Sequence, residues 1–420
     1  MIDMIRTVPE TAVRLYLGAR IGKGDDGRCQ IDLDGRPYEV SLEVLEQAER
    51  VVRALKIRPR TVQYATDILE LRLHAEDLFM EDVFGVKDLR KILFVPAGGL
   101  MASAFYRARL PADILTDKGL ALAHFTDHLD LAKAVRYDVL WIQLACSPIL
   151  YRIASEAKAQ GVKIIYDVDD RFDAIPPENS AAAIYVERKV EDVWRIIDLA
   201  DLVTVSTGNL KEHIGGKVGA DKVRVLPNMI PAAITPDRAP FPGDCTRILW
   251  AGSPTHKRDL DLVAPALSRI LSRYNGEVRF TCFGERCPEG LPKDCVDLME
   301  FVPFTEYLTK LSEVGAHFGI APLEDNDFNR AKSAIKHTEY SACGYPSLLS
   351  PVGEYNELPM ESGRTLVNDG DWERALDTAI GSPNSMTQLG RQAQAWVRKN
   401  RCVIKSDAAQ WLEAAEGVLA

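Results

Sequence analysis

From Lys91 onward the chain alternates short apolar runs with helical stretches, and that alternation leaves few folds open. Runs at 91–96, 137–143, 162–167, 200–206 and 223–226 are separated by helical segments such as 149–160 and 181–198. Strands that are apolar without a break, with helices between them, predict a parallel sheet covered on both faces. A Pro-rich passage from Pro227-Asn228-Met229-Ile230-Pro231 to Pro242-Gly243 then marks a linker. The alternation resumes at 247–252, 278–284, 318–322 and 346–349. Two Rossmann-like, doubly wound α/β domains are thus expected, at 89–228 and 229–403, with the last helix (404–420) returning to the first. Such sheets bind ligands beyond the carboxyl ends of their strands, so the cleft between the domains is the expected site.

The first 88 residues read differently. Residues 28–33 and 36–40 flank an Asp34-Gly35 turn, a strong hairpin signal. Ser41 can cap a helix in which Leu42, Leu45, Ala48, Val51, Val52 and Leu55 recur at helical spacing, and a second helical stretch spans 62–84. The 420 residues therefore divide into two domains and a small α+β N-terminal extension.

Composition narrows the classes further. With 46% hydrophobic and 27% charged residues and no apolar run of about 18, the chain predicts a globular protein without a transmembrane helix. Asp3, Glu10 and the lack of a long apolar core argue against a secretory leader, so a cytoplasmic protein is expected. Among its eight cysteines, Cys282, Cys287 and Cys295 lie close together without CxxC spacing and read as free thiols. A net charge of -10 disfavours a nucleic-acid partner held by phosphate neutralisation, although it allows a local basic groove.

Four stretches carry chemistry. Gly252-Ser253-Pro254-Thr255-His256-Lys257-Arg258 leaves a strand and opens a helix. Small residues let backbone amides approach an anion, the helix start adds partial positive charge, and Lys257 or Arg258 adds a full one, a combination suited to a diphosphate. The pattern is neither a Walker loop nor a GxGxxG fingerprint, which disfavours ATPase and dinucleotide roles. Asp167-Val168-Asp169-Asp170 ends a strand of the first domain; paired carboxylates there can bind a divalent ion, act as a general base, or serve only as caps and ion pairs. Gly98-Gly99, Ser103, Tyr106, Arg107 and Arg109 follow the first strand, where glycines permit close approach and Arg107 can meet a phosphate or an acidic acceptor. The fourth stretch runs from Asn326 through Arg330, Ala331, Lys332, Ser333, Ala334, Ile335, Lys336, His337, Thr338 and Glu339 to Cys343-Gly344-Tyr345-Pro346.

That last stretch resembles the signature of the glycogen-synthase-like and mannosyltransferase-like (group 1) nucleotide-sugar glycosyltransferases of the GT-B fold. The Gly252 loop, the 200–206 strand and the Leu226-Pro227-Asn228 crossover agree with it, and the likeness covers about residues 91–400. The resemblance implies sugar transfer from a nucleotide diphosphate sugar, with no cofactor, no resident metal and retention of anomeric configuration. It implies a donor site of Gly252, Ser253, Lys257, Arg258, Lys332, Ser333, Lys336 and Glu339, the last holding the donor ribose. Gly98, Gly99, Ser103 and Arg107 fall on the acceptor side, with Asp169, Asp170 and Lys257 as catalytic candidates. One departure is plain: the usual Glu-x7-Glu pair would place a carboxylate at position 331, which is Ala331. An epimerase or hydrolase on the same fold, or a non-catalytic nucleotide-sugar-binding protein, are the competing readings. Glycans, lipid-linked glycans, proteins and a modified DNA base are the candidate acceptors.

Overall fold

The computed structural model describes strands β1 (Arg20–Lys23), β2 (Arg28–Leu33) and β3 (Arg36–Ser41), and residues 90–420 apart from 98–101, 118–119, 127–128, 232–244, 285–286, 303 and 404. β2 and β3 pair antiparallel with Leu33 opposite Arg36, and β1 adds to the far side of β2. The helices expected at 42–55 and 62–84 lie outside the described residues.

The first large sheet holds β4 (Lys91–Pro96), β5 (Leu122–Phe125), β6 (Val139–Gln143), β7 (Lys163–Val168), β8 (Leu202–Val205) and β9 (Val223–Val225). Its strands are parallel and run in the order β5-β4-β6-β7-β8-β9. After the two-residue β10 (Ile230–Pro231), the second sheet holds β11 (Thr246–Ala251), β12 (Val278–Phe283), β13 (Val296–Met299), β14 (Phe318–Ala321), β15 (Ser347–Leu349) and β16 (Arg364–Leu366). It too is parallel, in the order β13-β12-β11-β14-β15-β16. Strand order reverses between β4 and β6 in one sheet and between β11 and β14 in the other, which sets where each domain opens a crevice.

Burial explains the unbroken apolar runs. On β4, Ile92 and Phe94 enter one core while Leu93 and Val95 enter another; on β11, Ile248 and Trp250 are separated from Leu249 and Ala251 in the same way. Each sheet therefore has a helical layer on both faces. Within the two large sheets, the strands that the sequence pattern leaves out, β5, β13 and β16, are edge strands. β13 is largely solvent-facing, so it carries no continuous apolar signal.

Local chemistry starts the helices. Ser147 accepts a hydrogen bond from the Leu150 N–H at 3.0 Å, ahead of a proline at the first position of Pro148–Ala159. Thr207 caps Gly208–Val218 likewise and also donates to the Ala331 carbonyl at 2.9 Å, tying that helix to the second domain. The chain crosses between the domains near 226–231 and again near 401–403, where β10 pairs in parallel with β17 (Cys402–Val403). The final helix, Lys405–Leu419, then lies on the first sheet, with Trp411, Ala414 and Ala415 buried among Ile92, Phe94 and Leu115. Among the described residues no helix is long and apolar enough to cross a membrane. Cys282 and Cys295 are buried and Cys287 half-buried, none of them in a disulfide.

Candidate active site

Lys336 is built into the carboxyl end of β11. Its Nζ donates to the Ala251 carbonyl at 2.7 Å and lies over the Trp250 ring, 5.6 Å from the centroid. Gly252 has to be glycine there: a Cβ would come within 2.8 Å of the Trp250 ring and 2.9 Å of Lys336 Nζ. The lysine comes from the Ile335–Ala342 helix, which is buried on nearly every side, and it is itself only 9% exposed. Burial pulls its ammonium down to about 8, against the attraction of Glu339. Lys332, just before this helix, lies over the Phe328 ring and reaches across the cleft to Asp170, Nζ to Oδ1 3.5 Å.

Beside the lysines stands a pair that the sequence pattern did not single out. His256 Nδ1 is 2.8 Å from Asp259 Oδ2, and Asp259 Oδ1 accepts from the Asn329 side-chain amide at 2.8 Å and the Glu324 N–H at 3.0 Å. Spacing of i,i+3 ahead of a helix is a signal that could have paired them.

The opposite wall belongs to β7. Asp167 is fully buried and forked by Arg107, Nε to Oδ2 at 2.9 Å and Nη2 to Oδ1 at 2.6 Å, with Thr204 Oγ1 donating to Oδ1 at 2.6 Å. Asp169, two residues on, reaches the crevice, where Gln143 Nε2 donates to its Oδ1 at 3.2 Å. Burial, then Asp170 and Asp167, push its carboxyl up to about 7, against Arg107 and the Gln143 bond. Asp169 is thus a group that exchanges a proton near neutrality.

Glu339 is 5% exposed and sits between the domains. Tyr106 donates to Oε1 at 2.7 Å from the π-helical turn Phe105–Arg109, and Tyr307 donates to Oε2 at 2.9 Å from the Phe304–Glu313 helix. Phe304 packs against both phenols, at 4.9 and 5.4 Å between centroids. Burial raises the Glu339 carboxyl pKa against the pull of Lys336 and the two tyrosines.

Three expected site residues are engaged elsewhere. Lys257 is 72% exposed and its Nζ pairs with Asp261 at 2.7 Å, while Arg258 is half exposed and bridges Glu324 at 2.8 Å and Glu178 at 2.9 Å. The reason is rotation: with His256 and Asp259 turned toward the crevice, the two positions between them point about 100° and 200° away. Arg107, only 4% exposed, is consumed by Asp167 and by the crossover, where Nη1 donates to the Leu226 carbonyl and to Asn228 Oδ1. It braces the domain junction. Arg107→Leu leaves Asp167 buried and unpaired, and urea unfolding is expected to show a loss of roughly 3–5 kcal/mol; a loss below about 1 kcal/mol, the range of an exposed pair, would contradict this bracing role.

The remaining expected residues are placed as follows. Ser253 Oγ and Thr255 Oγ1 are 2.7 Å apart in the loop after β11, and Ser333 Oγ accepts from Asn228 Nδ2 at 2.8 Å at the domain junction. Ser103 is half-buried near the start of the first helical turn, and Gly98 and Gly99 lie outside the described residues. Ala331 is buried in the first domain's core cluster, where a carboxylate would have no room for water. Among the described residues no group of three or more His, Cys, Asp or Glu is arranged to hold a metal ion.

No protein-family model and no curated protein matches the chain. Solved structures do. Sucrose-phosphate synthase from Thermosynechococcus elongatus is 14% identical over 79% of this chain and 99% of its own, with a TM-score of 0.59. HepE from Anabaena, in complex with UDP and glucose, is 12% identical over 78% and 100%, at 0.55. An alpha-glucosyltransferase in complex with UDP and a 13-mer DNA containing a central A:G mismatch is 15% identical over 79% and 100%, at 0.54. The chain shares with them the GT-B arrangement of two doubly wound α/β domains facing a cleft.

Proposed function

Starting from a GT-B fold in which Lys332 reaches Asp170 across the cleft and Lys336 is fixed at the carboxyl end of β11, we propose that the chain transfers a sugar from a nucleoside diphosphate to a nucleophile held between the domains. The observation that carries this reading is Lys336, a buried ammonium fixed at the carboxyl end of β11 with Gly252 making room for it. An ammonium held there, with Lys332 nearby, suits a group bearing several negative charges. These two lysines, in place of Lys257 and Arg258, stabilise the departing diphosphate, and the reading needs no metal to do so. Glu339 receives the donor ribose, whose vicinal hydroxyls replace one or both tyrosine hydroxyls as its hydrogen-bond donors. Asp169, across the cleft, takes the proton of the acceptor hydroxyl as the new bond forms.

UDP is the first nucleotide to test, because HepE and the alpha-glucosyltransferase are seen with it; a DNA oligonucleotide belongs in the acceptor panel on the second of these. Calorimetry with UDP-, GDP- and ADP-sugars, followed by mass spectrometry of acceptor mixtures, is expected to show micromolar-range donor binding and a mass gain of one sugar on an acceptor. Donor conversion to free sugar or to an epimer without any acceptor would replace transfer by the hydrolase or epimerase reading. Binding of none of these nucleotides would sink it.

A further inference from the structure

The pair of His256 and Asp259 has no part in the assignment above, and its bonds fix what it can recognise. Asp259 is 4% exposed and receives donors on both oxygens, from His256, from the Asn329 amide and from the Glu324 N–H. Burial opposes its charge, but these donors and Lys332 hold its carboxyl below the usual range. An ionised carboxylate only accepts, so Nδ1 of His256 carries the proton and Nε2 keeps its lone pair. The surroundings favour the same neutral ring: burial first, then Lys336 and Lys332, bring the imidazole down to about 3, against the Asp259 bond. His256 follows β11, whereas Glu324 and Asn329 follow β14, so the pair is braced across the point where the strand order reverses.

A lone pair at this place is selective. A diphosphate oxygen carries no proton at neutral pH and is repelled by it, while Lys332 and Lys336 attract that oxygen. A hydroxyl can donate to it. The geometry points to His256 as a residue that reads the transferred sugar, its Nε2 accepting a hydrogen bond from a sugar hydroxyl while Asp259 positions the ring. This rests on the donor site proposed above and extends it from the diphosphate to the sugar.

Two variants of the full chain separate a sugar contact from a phosphate contact. His256→Asn keeps an N–H near the Nδ1 position for Asp259 and removes the Nε2 acceptor; His256→Gln places an amide near the Nε2 position. Calorimetry uses UDP with UDP-glucose and GDP with GDP-mannose as probes. His256→Asn is expected to weaken the better nucleotide sugar about tenfold, leaving the matching diphosphate within about twofold, and His256→Gln is expected to recover most of that loss. Equal weakening of sugar nucleotide and bare diphosphate would move the ring to the phosphates and overturn the inference, as would unchanged affinity for both. Nitrogen-15 correlation spectra of the unliganded protein at pH 7 supply a separate readout. They should show the Nδ1–H tautomer, and an Nε2–H or imidazolium form overturns the inference whatever donor binds. If the wild-type chain binds none of the four probes and no ADP-sugar, the donor reading fails and the inference falls with it; a variant that fails to discriminate as stated fails the inference alone.

Discussion

Lys336→Met is expected to leave a folded protein that binds nucleoside diphosphates roughly 10²-fold more weakly and turns over at about a hundredth of the wild-type rate or less. Methionine fills most of the space of the lysine stem, so the comparison isolates the ammonium. That ammonium is buried at the end of β11, with the neutral Ala251 carbonyl at 2.7 Å. A diphosphate supplies the negative charge that burial makes most effective there. Stability gives a second readout with a definite sign. Burial lowers the folded-state pKa to about 8, below the ordinary lysine value. The unfolded chain therefore binds more protons between about pH 8 and 10, and wild-type stability rises with pH across that window. Thermal melts of Lys336→Met should lack this rise. Unchanged affinity for UDP and GDP in the variant would remove Lys336 from the donor site.

The second large effect concerns the opposite wall. Asp169→Asn is expected to lower kcat by about 10²-fold or more, because an amide accepts a hydrogen bond but not the proton. In the wild type, kcat/KM should rise with pH through about 7 as the carboxylate forms, and it should fall again above about 8 as Lys336 loses its charge. The variant keeps the alkaline fall and loses the acid limb. Its stability moves the other way. A carboxyl whose folded pKa is raised binds a proton that the unfolded chain has already released, so wild-type stability is lost as pH rises from about 4 to 7. Asparagine avoids that loss, and at pH 8 the variant should melt a few degrees higher, about 2–4 °C for a change near 1 kcal/mol, with the difference closing toward pH 4. A variant that is more stable and less active at pH 8 separates a catalytic carboxylate from a structural one. Full activity in Asp169→Asn would leave the base to another group.

Much of the fold is legible in the chain because its signals are local. β4, β6, β7, β8, β11, β12, β14 and β15 are short, mostly apolar runs, and each announces itself within a few residues. The edge strands β5, β13 and β16 are not legible in this way, since a strand that packs on fewer sides needs no unbroken apolar run. The strand-end loops were equally plain: Gly252 after β11 and Asp169-Asp170 after β7 fall at carboxyl ends by chain direction alone.

Which side chains meet in the cleft was decided by packing. Lys257 and Arg258 were the obvious cations, yet the helix they open turns His256 and Asp259 inward and carries them to the surface. Arg107 looked available until Asp167, 60 positions away, claimed its fork. Tyr106 and Glu339 meet across 233 positions, a distance at which no spacing rule operates. The sequence by itself determined two parallel, doubly wound sheets and the strand ends where a ligand would enter, because hydrophobic period and chain direction are properties of short segments. Only the tertiary structure decided that Lys332 reaches Asp170 across the cleft while Lys336 and His256 are held at the carboxyl end of β11, because helix rotation and long-range ion pairs depend on what each element is packed against.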